Sequence, residues 1–263
     1  MKKVAVFLRG HLRTWEFNKH NIFNFCDNLA EHVDYYVAVW RTGKDYTKFR
    51  TLREDFNYKK LQTFQIVEGH WGYDAWTGPA YLSNLLSRSR LAEEIISGQK
   101  YDAILDTRFD VVFNLDSAPV APQPWHVGST RVESEMVLGW QGLEDHCFFM
   151  NSASHALWNQ RIHYDNDRGH GPYINEPNSH VKLFQYANHY GLTAYQPDWF
   201  RARIVRPSII NVDKSLTSIF WEIPNLEVAD EIWNNFDLSE KLNHLEKVNI
   251  SPEEYVAALD FSY

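Results

Sequence analysis

Cysteine is nearly absent: the 263 residues contain only Cys26 and Cys147. Two cysteines so far apart make neither a disulfide framework nor a metal-ligand spacing, which points to a reducing, cytoplasmic setting. Long apolar runs are missing too, and no stretch approaches the ~20 residues that a membrane helix requires. The start, MKKVAVFLRG, carries basic residues. Its apolar run is too short for a signal peptide, and no small-residue cleavage site follows. Positive charge is scarce, with 26 Lys and Arg against 34 Asp and Glu and a net charge of −8. Such a balance argues against a nucleic-acid partner, which needs clustered cations to neutralise phosphates. It leaves room for a local positive pocket that holds one small anion. The GxxxxGK[ST] phosphate loop, the GxSxG nucleophile elbow and the HExxH zinc motif are all missing, so none of those three chemistries is indicated.

What is present is core material: 44% of the chain is hydrophobic and 15% aromatic, which excludes general disorder. Residues 3–8 form a continuous apolar run, the mark of a strand covered on both faces of a parallel sheet. Ile22, Phe23, Cys26, Leu29 and Ala30 recur at helical spacing, and DYYVAVW, Asp34 to Trp40, is the next strand. A short helix over 46–56 and a strand FQIV, Phe64 to Val67, follow. Leu82, Leu85, Leu86, Ala92, Ile95 and Ile96 make a 3.6-period stripe that Gly98 stops. YDAILDTRFDVVF, Tyr101 to Phe113, reads as a further strand.

This alternation predicts an α/β fold with a Rossmann-like, mostly parallel sheet flanked by helices. The second half is less regular. It holds the proline-rich connection Ala118 to Trp125, the apolar run Cys147 to Met150 and a helix over 154–161. A polar loop spans His163 to Ser179, and a helix from Val181 to Tyr190 ends at Gly191. Near the C-terminus Ser251, Pro252 and Glu254 have the pattern of a capped helix start.

Two polar stretches interrupt this apolar scaffold. The first is RGHLR, directly after the first strand. In open α/β sheets ligands bind beyond the carboxyl ends of strands. Gly10 allows close approach of backbone, and Arg9 and Arg13 can bridge phosphate oxygens. The bland alternative is a solvated turn whose arginines meet surface acids.

The second stretch is DTRFD. Residues two apart on a strand share a face, so Asp106, Arg108 and Asp110 line one side. Three ionised groups on an apolar strand are costly unless they pair, bind metal or line a cleft. Either Arg108 neutralises both carboxylates, or one of them, Asp110 first, holds a hard divalent cation against a diphosphate.

The order of these features resembles a GT-A-type nucleotide-sugar glycosyltransferase. VAVFLRGHLRT is similar to the first strand and loop that contact the nucleotide in such enzymes. The RFD triplet is similar to an R-x-D variant of their DxD motif, as in bacterial and viral surface-polysaccharide transferases, though a strict DxD is missing from this strand. LEDHCFFM, Leu143 to Met150, is similar to the segment that places a carboxylate beside a sugar. INEPNSHVKLFQYANHYGL, Ile174 to Leu192, resembles a late segment of the same enzymes.

The resemblance implies one GT-A-like domain over 1–263, with a nucleotide half at 1–115 and an acceptor half with C-terminal helices at 116–263. It implies transfer of a sugar from a nucleotide-sugar donor to a carbohydrate or other hydroxyl acceptor, as in polysaccharide biosynthesis. Arg9, Gly10, Arg13, Asp106 and Arg108 would face the donor, Asp110 would hold Mn²⁺ or Mg²⁺, and Asp145 or Glu176 would act as base on the acceptor. The alternatives are a non-catalytic nucleotide- or carbohydrate-binding protein of this fold, or another phosphate-handling transferase such as a sulfotransferase.

Further polar residues read as ordinary. A literal DxD at Asp165 and Asp167 sits among turn formers, where Asx residues serve local hydrogen bonds. His146, His155, His163, His170 and His180 lack zinc-site pairing and are expected at the surface. Trp71, Trp76, Trp140 and Trp199, next to Gly, Asp or Ala, are candidate flat faces for sugar rings.

Overall fold

The structure is a computed structural model and describes residues 1–10, 12, 15–41, 52–68, 90–130, 132–133, 142–144, 146–160 and 179–204. The apolar run at the N-terminus becomes β1 (Lys3–Gly10), and Val4 to Leu8 are wholly buried. Helix α1 (Trp15–Asp27) leads back to β2 (His32–Arg41), and β3 (Lys60–Glu68) follows. The described part of the long helical stripe is α2 (Arg90–Ser97), which precedes β4 (Ala103–Arg108). Strands β5 (Val111–Leu115), β6 (His126–Ser129), β7 (Val132–Glu133), β8 (Gly142–Leu143) and β9 (Cys147–Met150) come next. Then come α3 (Ser152–Trp158), α4 (Ser179–His189), β10 (Thr193–Tyr195) and β11 (Phe200–Ile204).

Seven strands form one sheet in the order β10-β6-β9-β4-β1-β2-β3. Strands β4, β1, β2 and β3 run parallel, β9 is antiparallel to both neighbours, and β6 and β10 are parallel to each other. Strands from both halves of the chain therefore share a single sheet. The expected Rossmann-like, mostly parallel α/β fold is present.

Each face of the sheet has its own core. On one face Val4, Val6, Leu8, Leu105 and Phe149 pack with Ile22, Phe25 and Cys26 of α1. On the other, Ala5, Phe7, Ile104 and Phe148 pack with Ala92 and Ile96 of α2, Trp158 of α3 and Leu183 and Tyr186 of α4. Burial on both faces explains why the strands read as unbroken apolar runs. Local signals set the helix ends. Asn151 caps α3 by accepting the Ser154 N–H at 2.9 Å, and Gly191, at φ +68°, ends the turn after α4.

The expected strand over 101–113 is two strands. β4 stops at Arg108, a turn at Phe109 and Asp110 follows, and β5 leaves the main sheet to pair antiparallel with β11. Phe109 causes the break: it is fully buried, edge-on to Trp15 at 5.4 Å, and its carbonyl accepts from Asn18 Nδ2 at 3.3 Å. The β5–β11 pair is held onto α1 by Asn21, whose side chain bonds both the carbonyl and the N–H of Phe113. Phe25 stacks on Phe113 at 4.2 Å beside them.

Trp199, expected as a sugar platform, is only 2% exposed and packs in the core against Phe149 and Phe200. His155, expected at the surface, is fully buried in α3 with Nδ1 3.1 Å from Ser97 Oγ. Trp71, Trp76, Trp140, Asp165, Asp167, His163, His170 and the Ser251 cap lie outside the described residues, as does the start of the long helical stripe.

Candidate active site

Arg9 and Gly10 are the last two residues of β1 rather than part of a loop. Gly10 has φ +114°, a conformation that L side chains rarely adopt, so a glycine is needed where the chain turns out of the sheet. Arg9 alternates onto the face of Ala5 and Phe7, and its guanidinium carbon lies 5.9 Å from the Phe7 ring centre. In the parallel register Arg9 stands opposite Arg108 and Phe7 opposite Asp106. Two arginines and an aspartate therefore meet at the carboxyl ends of two adjacent central strands.

The pairing among them is specific. Arg9 Nε donates to Asp106 Oδ1 at 2.6 Å, and Asp106 is 1% exposed. Arg108 donates through Nε to Asp110 Oδ1 and through Nη2 to Asp110 Oδ2, each at 2.8 Å. Asp110 is likewise 1% exposed, whereas the Arg108 side chain is 22% exposed. Arg108 thus pairs with Asp110 in the turn after its strand, and Arg9, reaching across from β1, pairs with Asp106. Arg9 Nη1 is buried and has no acceptor among the described residues. A buried guanidinium N–H of this kind is costly unless an acceptor, such as a phosphate oxygen, completes it.

The neighbouring strand ends add a second polar group. Thr107 Oγ1 donates to the carbonyl of His146, which ties β4 to the start of β9. Ser129 Oγ at the end of β6 donates to the carbonyl of Glu144, and Thr130 Oγ1 to Glu144 Oε2 at 2.8 Å. His146 Nδ1 lies 3.2 Å from Glu144 Oε1. Burial first, then the negative charges of Glu144 and Asp106, push the Cys147 thiol well above its ordinary pKa. That sulfur sits on the strand between the two groups, so the strand ends carry fixed charge of both signs.

Five of the residues singled out in the sequence, Arg9, Gly10, Asp106, Arg108 and Asp110, come together here. Arg13, Asp145 and Glu176 lie outside the described residues. Sequence reasoning passed over Glu144, Thr130 and Ser129, and took His146 for an ordinary surface histidine. The signal for Glu144 and His146 was present in LEDHCFFM, where they flank Asp145. Thr130 and Ser129 have no motif and are found only through the sheet.

A divalent cation fits these carboxylates poorly as they are held. Both oxygens of Asp110 accept from Arg108, and Asp106 Oδ1 accepts from Arg9. Among the described residues no three His, Cys, Asp or Glu side chains converge as metal ligands.

The fold and this cluster define an α/β protein whose charged groups gather at the carboxyl ends of its central parallel strands. No protein-family model and no curated protein sequence matches the chain. The solved structures it resembles include glycosyltransferases. One is the apo-form glycosyltransferase GlyE in Streptococcus pneumoniae TIGR4, at TM-score 0.44 and 12% identity, covering 95% of this chain and 64% of that one. A second is the apo bifunctional glycosyltransferase WbbM, at TM-score 0.43 and 9% identity, covering 74% of this chain and 39% of that one. A third is the galactosyltransferase LgtC in complex with donor and acceptor sugar analogs, at TM-score 0.39 and 9% identity over 92% of this chain and 100% of that one. The chain thus spans 64% of the length of GlyE and 39% of WbbM.

Proposed function

We propose that the chain is a nucleotide-sugar glycosyltransferase whose donor diphosphate binds at the carboxyl ends of β1 and β4. One observation carries the reading. Arg9 and Arg108 face each other across two central parallel strands, each oriented by its own aspartate, and Arg9 Nη1 is buried without an acceptor among the described residues. Guanidinium groups bind phosphate oxygens through paired, charge-assisted hydrogen bonds, and a crevice beyond parallel strand ends is where α/β sheets hold nucleotides.

In the reaction the bond between the anomeric carbon and the diphosphate oxygen breaks, and its electron pair goes to that oxygen. The oxygen of an acceptor hydroxyl forms the new bond to the anomeric carbon. Arg9 and Arg108, already oriented, stabilise the charge that grows on the departing diphosphate. For an inverting transfer a carboxylate takes the acceptor proton. Asp145 and Glu176 are the proposed bases, and Asp145 lies between Glu144 and His146, both fixed to the strand ends. The half up to residue 115 would hold the nucleotide and the remainder the acceptor. The two buried thiols suit a cytoplasmic enzyme, and no helix among the described residues is long and apolar enough to cross a membrane.

The test is a thermal-shift and calorimetric panel of UDP, GDP and TDP sugars. A donor at a hundred times its Kd should stabilise the fold by about 2.7 kcal/mol. Arg9→Gln should remove the shift, and donor hydrolysis should accompany binding. A panel without any shift overturns the reading, and binding without turnover of any donor leaves a binding protein.

A further inference from the structure

The resemblance that led to this site gives Asp110 to a divalent cation, but the geometry points elsewhere. We infer that the diphosphate charge is carried by Arg108 and Arg9 directly, with Asp110 and Asp106 serving to orient these arginines rather than to bind a metal. The inference rests on the donor-site reading above and asks how that site meets its charge.

Three observations carry it. First, Arg108 grips Asp110 through two parallel hydrogen bonds of 2.8 Å, one to each carboxylate oxygen. A cation on Asp110 would have to break this paired contact and then sit beside the guanidinium it displaced. Placing a dication against a guanidinium at a buried carboxylate is opposed by charge repulsion at close range. Second, Arg9 repeats the arrangement on the adjacent strand, with Asp106 at 2.6 Å and both side chains almost fully buried. The four groups carry two negative and two positive charges, so there is no net negative charge among them to attract a cation. Third, Arg9 Nη1 has no acceptor among the described residues, while the Arg108 side chain is partly exposed and within reach of an entering ligand.

The two aspartates are therefore positioning residues. They fix the guanidinium planes before the donor arrives, so little orientational freedom is lost when phosphate binds. The carboxylates also balance the buried charge of Arg9 and the half-buried charge of Arg108 while no donor is bound.

The experiment is isothermal calorimetry of UDP, GDP and TDP on the full chain, in EDTA and again with Mn²⁺ or Mg²⁺. The variants are Arg108→Gln, Asp110→Asn and the double change Arg108→Gln/Asp110→Asn, which removes the pair together and guards against misfolding of a single variant. The expected result is binding in EDTA that added metal does not tighten. Arg108→Gln and the double variant should weaken it about tenfold or more, as loss of a charge-assisted contact does. Asp110→Asn should tighten binding, because it relieves Arg108 of a competing anion. Binding that needs metal and is lost in Asp110→Asn overturns the inference and leaves the donor-site reading intact. Metal-independent binding that survives both Arg108→Gln and the double variant also overturns it. Failure of wild-type protein to bind any of the three nucleotides in any condition overturns the donor-site reading, and the inference with it.

Discussion

Asp34 shows what one buried charge demands of its neighbours. It is 1% exposed, and burial on its own would raise its pKa. Hydrogen bonds from Lys60 at 2.6 Å, Tyr101 at 2.9 Å and Lys3 at 3.1 Å outweigh this and hold the carboxyl below its usual range. A carboxylate with a depressed folded-state pKa stabilises the fold above its unfolded pKa, and the gain is lost as pH falls through the folded value. Asp34→Asn should therefore cost on the order of 1–3 kcal/mol at pH 7, the worth of hydrogen bonds to a charged group. The gap to wild type should shrink below about pH 3.9, the ordinary carboxylate value. Urea unfolding at pH 7 and pH 3 measures it, and an equal gap at both would refute the assignment.

At the scale of elements, two glycines distinguish space from backbone strain. A Cβ at Gly128 on β6 would lie 3.0 Å from the Phe149 carbonyl on β9 and 3.0 Å from Tyr195 Cζ on β10. The backbone oxygen belongs to the sheet and cannot move away. Gly128→Ala should destabilise by about 1–3 kcal/mol through overpacking where three strands meet. At Gly10 a Cβ would meet nothing within 4 Å among the described residues, yet φ is +114°. Gly10→Ala should also cost of order 1–3 kcal/mol, here through backbone strain alone. Thermal melts of both, each beside its Ser variant, separate the two causes. The larger side chain should worsen the effect at position 128 and add little at position 10.

At the scale of the whole molecule, both thiols belong to one core. Cys26 on α1 and Cys147 on β9 are buried in the same face, and burial raises both pKa values. Neither should react with Ellman's reagent in the native state, and both should react once urea unfolds the chain. Early reaction of one without loss of helix signal would show that this core opens locally.

The same scale shows why some of the molecule was legible in its sequence and some was not. Strands covered on both faces leave unbroken apolar runs, so β1 and β2 stand out in the residues themselves. The break between β4 and β5 did not, because Phe109 is as apolar as its neighbours. What stops the strand is an edge contact with Trp15 and a bond from Asn18, both on an element far away in the chain.

What the sequence by itself determined is the alternation of strand and helix, the helix stop at Gly191, and the presence of RGHLR after one strand and of DTRFD within another apolar stretch. Those are local properties, written in hydrophobic period and residue type. The choice of partners was decided by tertiary structure alone. Read along the chain, Arg108 was free to neutralise Asp106, Asp110 or both. The sheet sets β1 beside β4, and Arg9, 97 residues away, takes Asp106 and leaves Arg108 to Asp110. An ion pair across neighbouring strands depends on sheet order, and no local pattern in the sequence encodes which strands will be neighbours.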